Sequence, residues 1–201
     1  MDRRYFLKTS VAAAVAASLP AHAGFEEVLH QPTQVGADIN AMTGDGAELI
    51  LSKAEVQELS DSLKGKLVLP GTTAYDEARM LINPGFDKHP ALVIRPSGPA
   101  DISSALQFAE DNRLLTAVKC GGHSHSGKST CDGGMQIDLS SFRYCHVDPF
   151  ARTATVAGGS LLGELDHEAM AHGLVTTAGT VSHTGVGGLT LGGGFGRLAR
   201  R

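Results

Sequence analysis

Apolar positions recur along the chain with helical spacing in two long segments. Over 52–65, Val56, Leu59 and Leu63 share one face behind a serine that suits a helix N-cap. A second amphipathic helix is predicted over 98–114. Its apolar face would consist of Ile102, Ala105, Leu106 and Ala109.

Short apolar runs between turn residues predict strands around these helices. Three strands are predicted in "KLVLPG", "PALVIRP" and "LTAVKCGG". The last two flank the helix over 98–114, and such a strand–helix–strand unit indicates parallel pairing. Further along, three strands are predicted in "MQIDLSS", "RYCHVDP" and "TATVAGG", and shorter helices in "TTAYDEARMLIN" and "SLLGELDHEAMAHG". The face of the latter helix would carry Leu162, Leu165, His167 and Met170.

The N-terminus has the layout of an export signal. Arg3 and Arg4 precede an alanine-rich apolar stretch that ends in "AHA" at 21–23. This order is typical of a twin-arginine signal, and the stretch is too short to span a bilayer. We therefore expect residues 1–23 to be a signal peptide and the protein to be exported to the periplasm or outside the cell, without a stable membrane span. Residues 24–48 are predicted to be a linker, with compact structure from about residue 49.

Composition narrows the classes of function. The chain has 201 residues, 42% of them hydrophobic, which suffices for a substantial core. A formal net charge of −4, few aromatic residues and the absence of a basic run argue against binding to nucleic acid. The three cysteines, Cys120, Cys131 and Cys145, are not spaced as in a structural zinc site. A disulfide between Cys120 and Cys131 is left open by the sequence.

The stretch "CGGHSHSG" at 120–127 is the first candidate for chemistry. Ligands for a metal ion would come from Cys120, His123, His125, His146 and His183. However, alternate residues of an extended chain point to opposite sides, so His123 and His125 are poorly placed to share one ion. The same stretch is equally compatible with a general base at His123, with polar loop residues without a role, and with a covalent bond between an imidazole and a cofactor. The residues alone do not decide between a metal site and these three roles.

The glycine-rich segment "GVGGLTLGGGFG" at 185–196 is the second candidate. Its glycines leave the main chain open to a ligand, and the run from Gly192 to Gly196 resembles a phosphate-binding nest. The spacing does not match a dinucleotide-binding fingerprint, and no Gly-Lys-Ser/Thr of a nucleotide triphosphate loop follows. A glycine-rich packing loop without a ligand is the competing interpretation.

Several segments in order resemble the FAD-binding domain of the vanillyl-alcohol oxidase superfamily, in particular its berberine-bridge-enzyme-like branch. They are "VLPGTTAYDEAR", "HPALVIRPSGPADISSALQFAEDN", "LLTAVKCGGHSHSGKSTCDGGMQIDLS", "VDPFARTATVAGGSLLGELD" and "HGLVTTAGTVSHTGVGGLTLGGGFG". The resemblance runs from about Leu67 to Arg201. It implies a PCMH-type FAD-binding domain over 49–201, with an α+β fold of two small α/β subdomains, the second incomplete.

The resemblance also implies the site residues. In that family the histidine of "GGHS" is covalently bonded to the 8α-methyl group of the flavin, and here this histidine is His123. Many relatives attach the flavin again through a cysteine in "GTCPTVG", where this chain has Val181, so we expect a single covalent bond. His183, two residues further on, is not expected to be a tether, and no metal is expected. Further FAD contacts are implied for Arg95, Gly121, Gly122, Ser124, His125, Ser126, Gly127, Gly179, Thr180, Gly185, Gly187 and Gly188.

The implied reaction is hydride transfer from an alcohol or similar C–H donor to the flavin. The partners would be a small-molecule substrate and oxygen or another electron acceptor. Because the family continues into a substrate domain, we expect this sequence to be the N-terminal part of a longer enzyme and to be inactive alone, with its catalytic residues unassigned. The competing hypothesis is a non-catalytic flavin-binding fragment or a truncated remnant.

Overall fold

Eight strands and five α-helices follow one another in the computed structural model, which describes residues 31–198 and 200. The strands are β1 (Ile39–Met42), β2 (Glu48–Leu51), β3 (Lys66–Val68), β4 (Leu92–Arg95), β5 (Thr116–Lys119), β6 (Met135–Asp138), β7 (Cys145–Asp148) and β8 (Thr153–Val156). The helices are α1 (Lys53–Ser62), α2 (Thr73–Arg79), α3 (Pro99–Asp111), α4 (Leu162–Met170) and α5 (Val186–Gly192).

A four-stranded sheet in the order β3-β4-β6-β5 forms the centre of the fold. β4 and β5 both run parallel to β6, and β3 is antiparallel to β4. The predicted parallel relation of β4 and β5 is therefore correct in direction, but β6 lies between them. All four residues of β6 are buried, as expected of a central strand in a parallel sheet. The sequence predicted this strand but not its place in the central sheet, apart from β7 and β8.

Helices α1 and α3 pack together and cover the main hydrophobic core. The predicted cap of α1 is present, because Ser52 and Glu55 form a reciprocal capping box. Ala105 and Ala109 of α3 are buried as predicted, whereas Leu106 is 49% exposed. Phe108 packs against the core from the same helix. The face of α3 is thus rotated from the one that the apolar spacing predicts.

The segment before α1 is not a linker over its whole length. β1 and β2 form an antiparallel hairpin, and Val35 is buried in the main core. The hairpin is attached to the sheet region by hydrogen bonds from Met42 N to Gly133 O (2.8 Å) and from Leu115 N to Met42 O (2.9 Å). The prediction of a linker is therefore wrong for residues 32–48, which belong to the compact unit that starts at Pro32. The proposed signal peptide and residues 24–30 lie outside the described residues.

The second subdomain contains the antiparallel hairpin β7–β8 and helix α4. Leu162 and Leu165 of α4 are buried as predicted, but Met170 is 72% exposed and His167 is exposed. The predicted α+β fold with two small subdomains is confirmed. Among the described residues, no helix is long and apolar enough to cross a membrane.

The glycine-rich segment is partly helical rather than a continuous loop. Helix α5 has no side-chain cap and no buried residue. Its first amide groups donate instead to the main chain, from Val186 N to Ser160 O (2.8 Å) and from Gly187 N to Gly158 O (3.2 Å). These bonds satisfy donors that every helix leaves free at its start.

Candidate functional site

Two histidines from distant parts of the sequence meet at the surface of the protein. Nε2 of His123 lies 2.5 Å from Nδ1 of His183, and the ring centroids are 4.5 Å apart with the planes inclined by 35°. One of these two nitrogens carries the shared proton and the other accepts it. His183 was not expected to be a tether, and its contact with His123 was not predicted from the sequence.

His123 stands on a turn that follows β5. Gly122 has a φ of +73°, a conformation that glycine adopts without strain, and its carbonyl accepts a hydrogen bond from Ile82 N at 3.1 Å. After His123, the hydroxyl of Ser124 accepts a hydrogen bond from Lys128 N at 3.2 Å. Both ends of the turn are therefore fixed by hydrogen bonds to the main chain.

His183 is held by main-chain pairing with the start of α4. Leu162 N donates to Thr184 O at 2.9 Å, and Gly163 N donates to Ser182 O at 2.8 Å. These bonds lie on either side of His183 and fix its backbone. The position of its ring relative to His123 thus depends on a rigid scaffold.

The two glycine-containing segments cross at Gly121 and Gly185. A Cβ atom on Gly121 would lie 2.4 Å from Gly185 N, and one on Gly185 would lie 2.3 Å from Gly121 N. Such distances are too short for any side chain, and the obstacle in each case is main chain. The sequences "CGGHSHSG" and "GVGGLTLGGG" therefore form one site because both have glycine at the crossing.

The environment of His123 favours its neutral form. Partial burial and the neighbouring His183 and His125 lower the pKa of His123, and they outweigh the main-chain carbonyl of His183, which acts in the opposite direction. A neutral imidazole has a free nitrogen lone pair. His123 is therefore suited to act as a nucleophile near neutral pH.

A cavity of about 400 Å³ opens beside His183 and the glycine turn. Three basic side chains and one acidic side chain contribute to its lining. Each of the three is paired with a carboxylate, Arg95 and Lys119 with Asp138 and Arg143 with Glu164, so they offer a ligand hydrogen-bond donors rather than a net positive charge. The residues concerned are Arg95, Lys119, Arg143 and Glu77, together with Gly121 and Gly122.

The fully buried carboxylate of Asp138 organises two of these basic groups. Arg95 Nε donates to Asp138 Oδ2 at 3.0 Å, and Lys119 Nζ lies 3.8 Å from Oδ1. Lys119 also donates to the carbonyl of Ala78 at 2.6 Å. Burial and Arg95 lower the pKa of Lys119, and Asp138 and Glu77 oppose this change. The network fixes Arg95, a predicted FAD contact, at the edge of the cavity.

The other predicted contacts in the histidine stretch fall into two groups. His125 and Ser126 are exposed. Gly127 is buried with a φ of +66°, and its carbonyl accepts a hydrogen bond from Lys88 Nζ at 3.3 Å. A Cβ atom there would lie 2.4 Å from the ring of Phe86. Gly127 therefore has a packing role that the sequence did not indicate.

The predicted contacts in the glycine-rich segment also differ in their surroundings. Thr180 is exposed, and Gly179 packs against Leu162 and Leu189. A Cβ atom on Gly187 would meet Gly158 O at 2.6 Å, whereas one on Gly188 would meet no atom within 4 Å. Gly188 thus faces open space, while Gly187 is needed for the contact between α5 and the main chain.

Three residues of the site were not predicted from the sequence: Lys119, Asp138 and Arg143. Lys119 and Asp138 are buried and occupy the last positions of the neighbouring parallel strands β5 and β6. Charged residues at the carboxyl ends of parallel strands were the available signal, because these ends meet at one edge of a sheet. The sequence did not predict the order of the strands within the sheet, so Lys119 and Asp138 could not be placed side by side.

Within the described part of the chain, the three cysteines are all free thiols, so the Cys120–Cys131 disulfide is not formed. Burial raises the pKa of Cys131 to about 11 and also raises that of Cys120. No group of three or more His, Cys, Asp or Glu side chains suited to a metal ion occurs among the described residues.

Comparison with known proteins identifies the family. Residues 90–201 match the family described as FAD binding domain. A FAD-linked oxidoreductase of Dictyostelium discoideum is 38% identical over 146 residues, which cover 72% of this chain and 32% of the relative.

Solved structures agree with this match. 6-Hydroxy-D-nicotine oxidase from Arthrobacter nicotinovorans superimposes with a TM-score of 0.62 and 30% identity, covering 64% of this chain and 28% of that protein. The BBE-like 1 protein of Physcomitrella patens gives a TM-score of 0.64 and 28% identity, covering 70% of this chain and 31% of that protein. This chain spans about a third of the length of the relatives that it matches. The glycine-framed site and these matches together show that the chain belongs to the FAD-binding domain family of FAD-linked oxidoreductases, in the berberine-bridge-enzyme-like group of the vanillyl-alcohol oxidase superfamily.

Proposed function

We propose that the chain is the FAD-binding part of an exported oxidoreductase that holds its flavin through one covalent bond at His123. The observation that carries this proposal is the state and position of that histidine. Its pKa is lowered, it stands on a turn with glycines on one side, and its turn crosses the second glycine segment at Gly185. A nucleophilic imidazole beside open main chain is what covalent attachment of a large planar cofactor requires.

The described residues fit FAD in two further respects. The cavity beside the glycine turn is lined by Arg95, Lys119 and Arg143, side chains that can donate hydrogen bonds to a pyrophosphate. Gly188 presents main chain without a side chain, and a Cβ atom there would meet no atom within 4 Å, so a ligand can approach its amide group closely. Arg95, fixed by Asp138, would bind and orient the anionic part of the cofactor.

Bound FAD would supply a two-electron acceptor for hydride transfer from an alcohol or a similar C–H donor. The contribution of this chain is to bind FAD, to hold it in one orientation and to prevent its loss. Val181 occupies the position at which many relatives have a cysteine, which supports a single covalent bond. A small-molecule substrate, oxygen or another electron acceptor, and a substrate domain in a longer protein complete the proposed enzyme. The arginine pair at Arg3 and Arg4 supports export by the twin-arginine route.

Denaturation tests the covalent bond directly. The purified chain is precipitated in acid, washed and examined for flavin absorbance and fluorescence. We expect the wild-type pellet to retain flavin and the His123→Ala pellet to retain none. The control is His172→Ala, an exposed histidine after α4, which should retain flavin like the wild type. Complete release of flavin from the wild-type protein would disprove the covalent bond at His123.

Activity separates the enzyme from a non-catalytic flavin-binding module. A protein that retains flavin is mixed anaerobically with alcohols and sugars, and bleaching of the flavin absorbance is followed. Bleaching by a substrate and recovery on addition of oxygen would support an oxidase. Retention of flavin without bleaching by any donor, in this chain and in any longer protein that contains it, would instead support a flavin-binding module.

A further inference from the structure

We propose that His183 is a positioning residue for the covalent attachment of FAD: it holds His123 in the tautomer that leaves Nδ1 free and takes up the proton of Nε2 when the bond forms. This inference rests on the proposed function, because it concerns how His123 reacts. It assigns a role to His183, which was not expected to be a tether.

The contact occupies Nε2 of His123 and leaves Nδ1 as the nitrogen available to react. Nε2 of His123 is engaged with Nδ1 of His183 at 2.5 Å, so Nε2 is shielded from a cofactor. When Nε2 carries the proton and donates it to His183, Nδ1 of His123 has the free lone pair. A hydrogen bond to one ring nitrogen thus fixes the tautomer of the other, as is common for histidines at metal and catalytic sites.

The reaction needs a proton acceptor at Nε2. Bond formation between Nδ1 and the 8α carbon of FAD removes one proton from the methyl group and leaves a positive charge on the imidazole unless Nε2 also loses its proton. The two electrons of the broken C–H bond pass into the flavin. Dioxygen then takes up these two electrons and the two protons as hydrogen peroxide, which restores the oxidised flavin. Atoms and charge balance with dioxygen as the only co-reactant.

His183 is the side chain placed to accept this proton. Besides burial, the groups that act on the pKa of His123 are the ring and the main-chain carbonyl of His183 and the ring of His125, and no carboxylate is among them in the described part of the chain. His125 is exposed and makes no hydrogen bond to His123 in the described structure. The competing acceptor is water.

The backbone around His183 supports a positioning role. The hydrogen bonds from Leu162 N and Gly163 N to the residues on either side fix the main chain at His183. The crossing of Gly121 and Gly185 brings the two loops into contact next to both histidines. The main-chain contacts of the two loops therefore hold the ring of His183 beside that of His123.

The test is the rate of covalent attachment in protein that is first prepared without flavin. Apoprotein from flavin-depleted cells is mixed with FAD in air, and samples are denatured at intervals and examined for protein-bound fluorescence. We expect His183→Ala to attach FAD about 10²-fold more slowly than the wild type, as for loss of a general base. His172→Ala should attach FAD at the wild-type rate. Attachment by folded His183→Ala at the wild-type rate would overturn the inference.

His183→Asn separates holding the tautomer from taking up the proton. The asparagine amide oxygen can accept a hydrogen bond close to the place of Nδ1, but it cannot take up a proton at neutral pH. We expect attachment faster than in His183→Ala and still about tenfold slower than in the wild type. Recovery of the full wild-type rate by His183→Asn would show that proton uptake is not the role of His183.

Two results distinguish this inference from the proposed function. If the wild-type protein attaches no flavin, the proposed function fails. If the wild type attaches flavin and His123→Ala does not, while the folded His183 variants react normally, only the inference fails.

Nitrogen-15 NMR of the wild-type apoprotein gives a measurement that does not depend on the folding of a variant. It should show His123 protonated at Nε2, and protonation at Nδ1 would contradict the proposal.

Discussion

The central sheet and the glycine-rich site are stabilised by different kinds of contact. Leu92, Ile94 and Met135 in β4 and β6 are completely buried, and they pack with the helices in one hydrophobic core. Helix α5 has no buried residue, and its Leu191 is 91% exposed. The sheet is thus stabilised by side-chain burial, whereas the site is held by hydrogen bonds and close contacts of the main chain.

This difference determines which substitutions each region tolerates. In the sheet, removal of side-chain atoms leaves a cavity and is costly. At the crossing of Gly121 and Gly185, addition of side-chain atoms is costly because main chain would have to move. Because the site is rich in glycine, it has few side chains whose removal could create a cavity.

The largest effect is expected for Leu92→Ala in the centre of β4. Leu92 is fully buried, so the substitution removes apolar contacts and creates a cavity in the main core. We expect the free energy of unfolding to fall by about 4 kcal/mol. Urea unfolding followed by circular dichroism measures this change. A loss below about 1 kcal/mol would show that the sheet does not carry the stability of the unit.

Gly121→Ala should produce the next largest effect. The new Cβ atom would lie 2.4 Å from Gly185 N, and the main chain on both sides is tied by hydrogen bonds. We expect a loss of about 3 kcal/mol in unfolding free energy, together with loss of covalent flavin because the two histidines move apart.

Gly36→Ala is the matched control for Gly121→Ala. A Cβ atom on Gly36 meets no atom within 4 Å, so the unfolding free energy should stay within about 0.5 kcal/mol of the wild type. If Gly121→Ala changed neither the unfolding free energy nor flavin retention more than Gly36→Ala does, the close contact between Gly121 and Gly185 would be disproved.

Asp101→Asn tests a polar contribution to the sheet subdomain. The carboxylate accepts hydrogen bonds from Ser97 N (2.7 Å), Lys64 N (2.9 Å) and Gly65 N (2.9 Å). Asn would place an amide group where donors converge, and we expect a loss of about 2 kcal/mol in unfolding free energy. Asp111→Asn, an exposed position at the end of the same helix, should change it by less than about 0.5 kcal/mol.

The pH dependence gives a second measurement at Asp101. Burial raises the pKa of Asp101, but the hydrogen bonds from Ser97, Lys64 and Gly65 outweigh burial, so its pKa lies below the ordinary value. The unfolded chain therefore binds this proton more readily than the folded one. The stabilisation is complete above about pH 4 and is lost as the pH falls further through the folded pKa. The acid-induced loss of stability should be smaller in Asp101→Asn than in the wild type.

Local features of the fold were predictable from the sequence, and relations between distant segments were not. The cap at Ser52 and the buried positions of α1 follow from residues that are neighbours along one helix. The place of β6 between β4 and β5 could not be derived, because an apolar run does not show which sheet it joins. Leu106 was misassigned because the packing of α3 against α1, not spacing alone, decides which face is buried.

The same distinction holds for the site: its local motifs were predictable from the sequence, and the contact between distant segments was not. The resemblance to a known family directed attention to His123 and to both glycine segments. The partner of His123 is 60 residues away, and only the crossing of Gly121 and Gly185 brings His183 to it. Helix α5 was also unexpected, because glycine costs about 1 kcal/mol per residue in a helix interior. Hydrogen bonds from Val186 and Gly187 to the main chain compensate at its start.

Leu191→Ala should have the smallest effect, and it is the direct counterpart of Leu92→Ala. Both substitutions remove the same atoms, but Leu191 lies on α5 with nearly all of its side chain exposed. We expect its unfolding free energy to stay within about 0.5 kcal/mol of the wild type, because little apolar surface leaves water at this position on folding. The difference between the two variants then measures how unequally the two regions contribute to stability. A loss above about 1 kcal/mol for Leu191→Ala would instead show that α5 packs against other parts of this chain in solution.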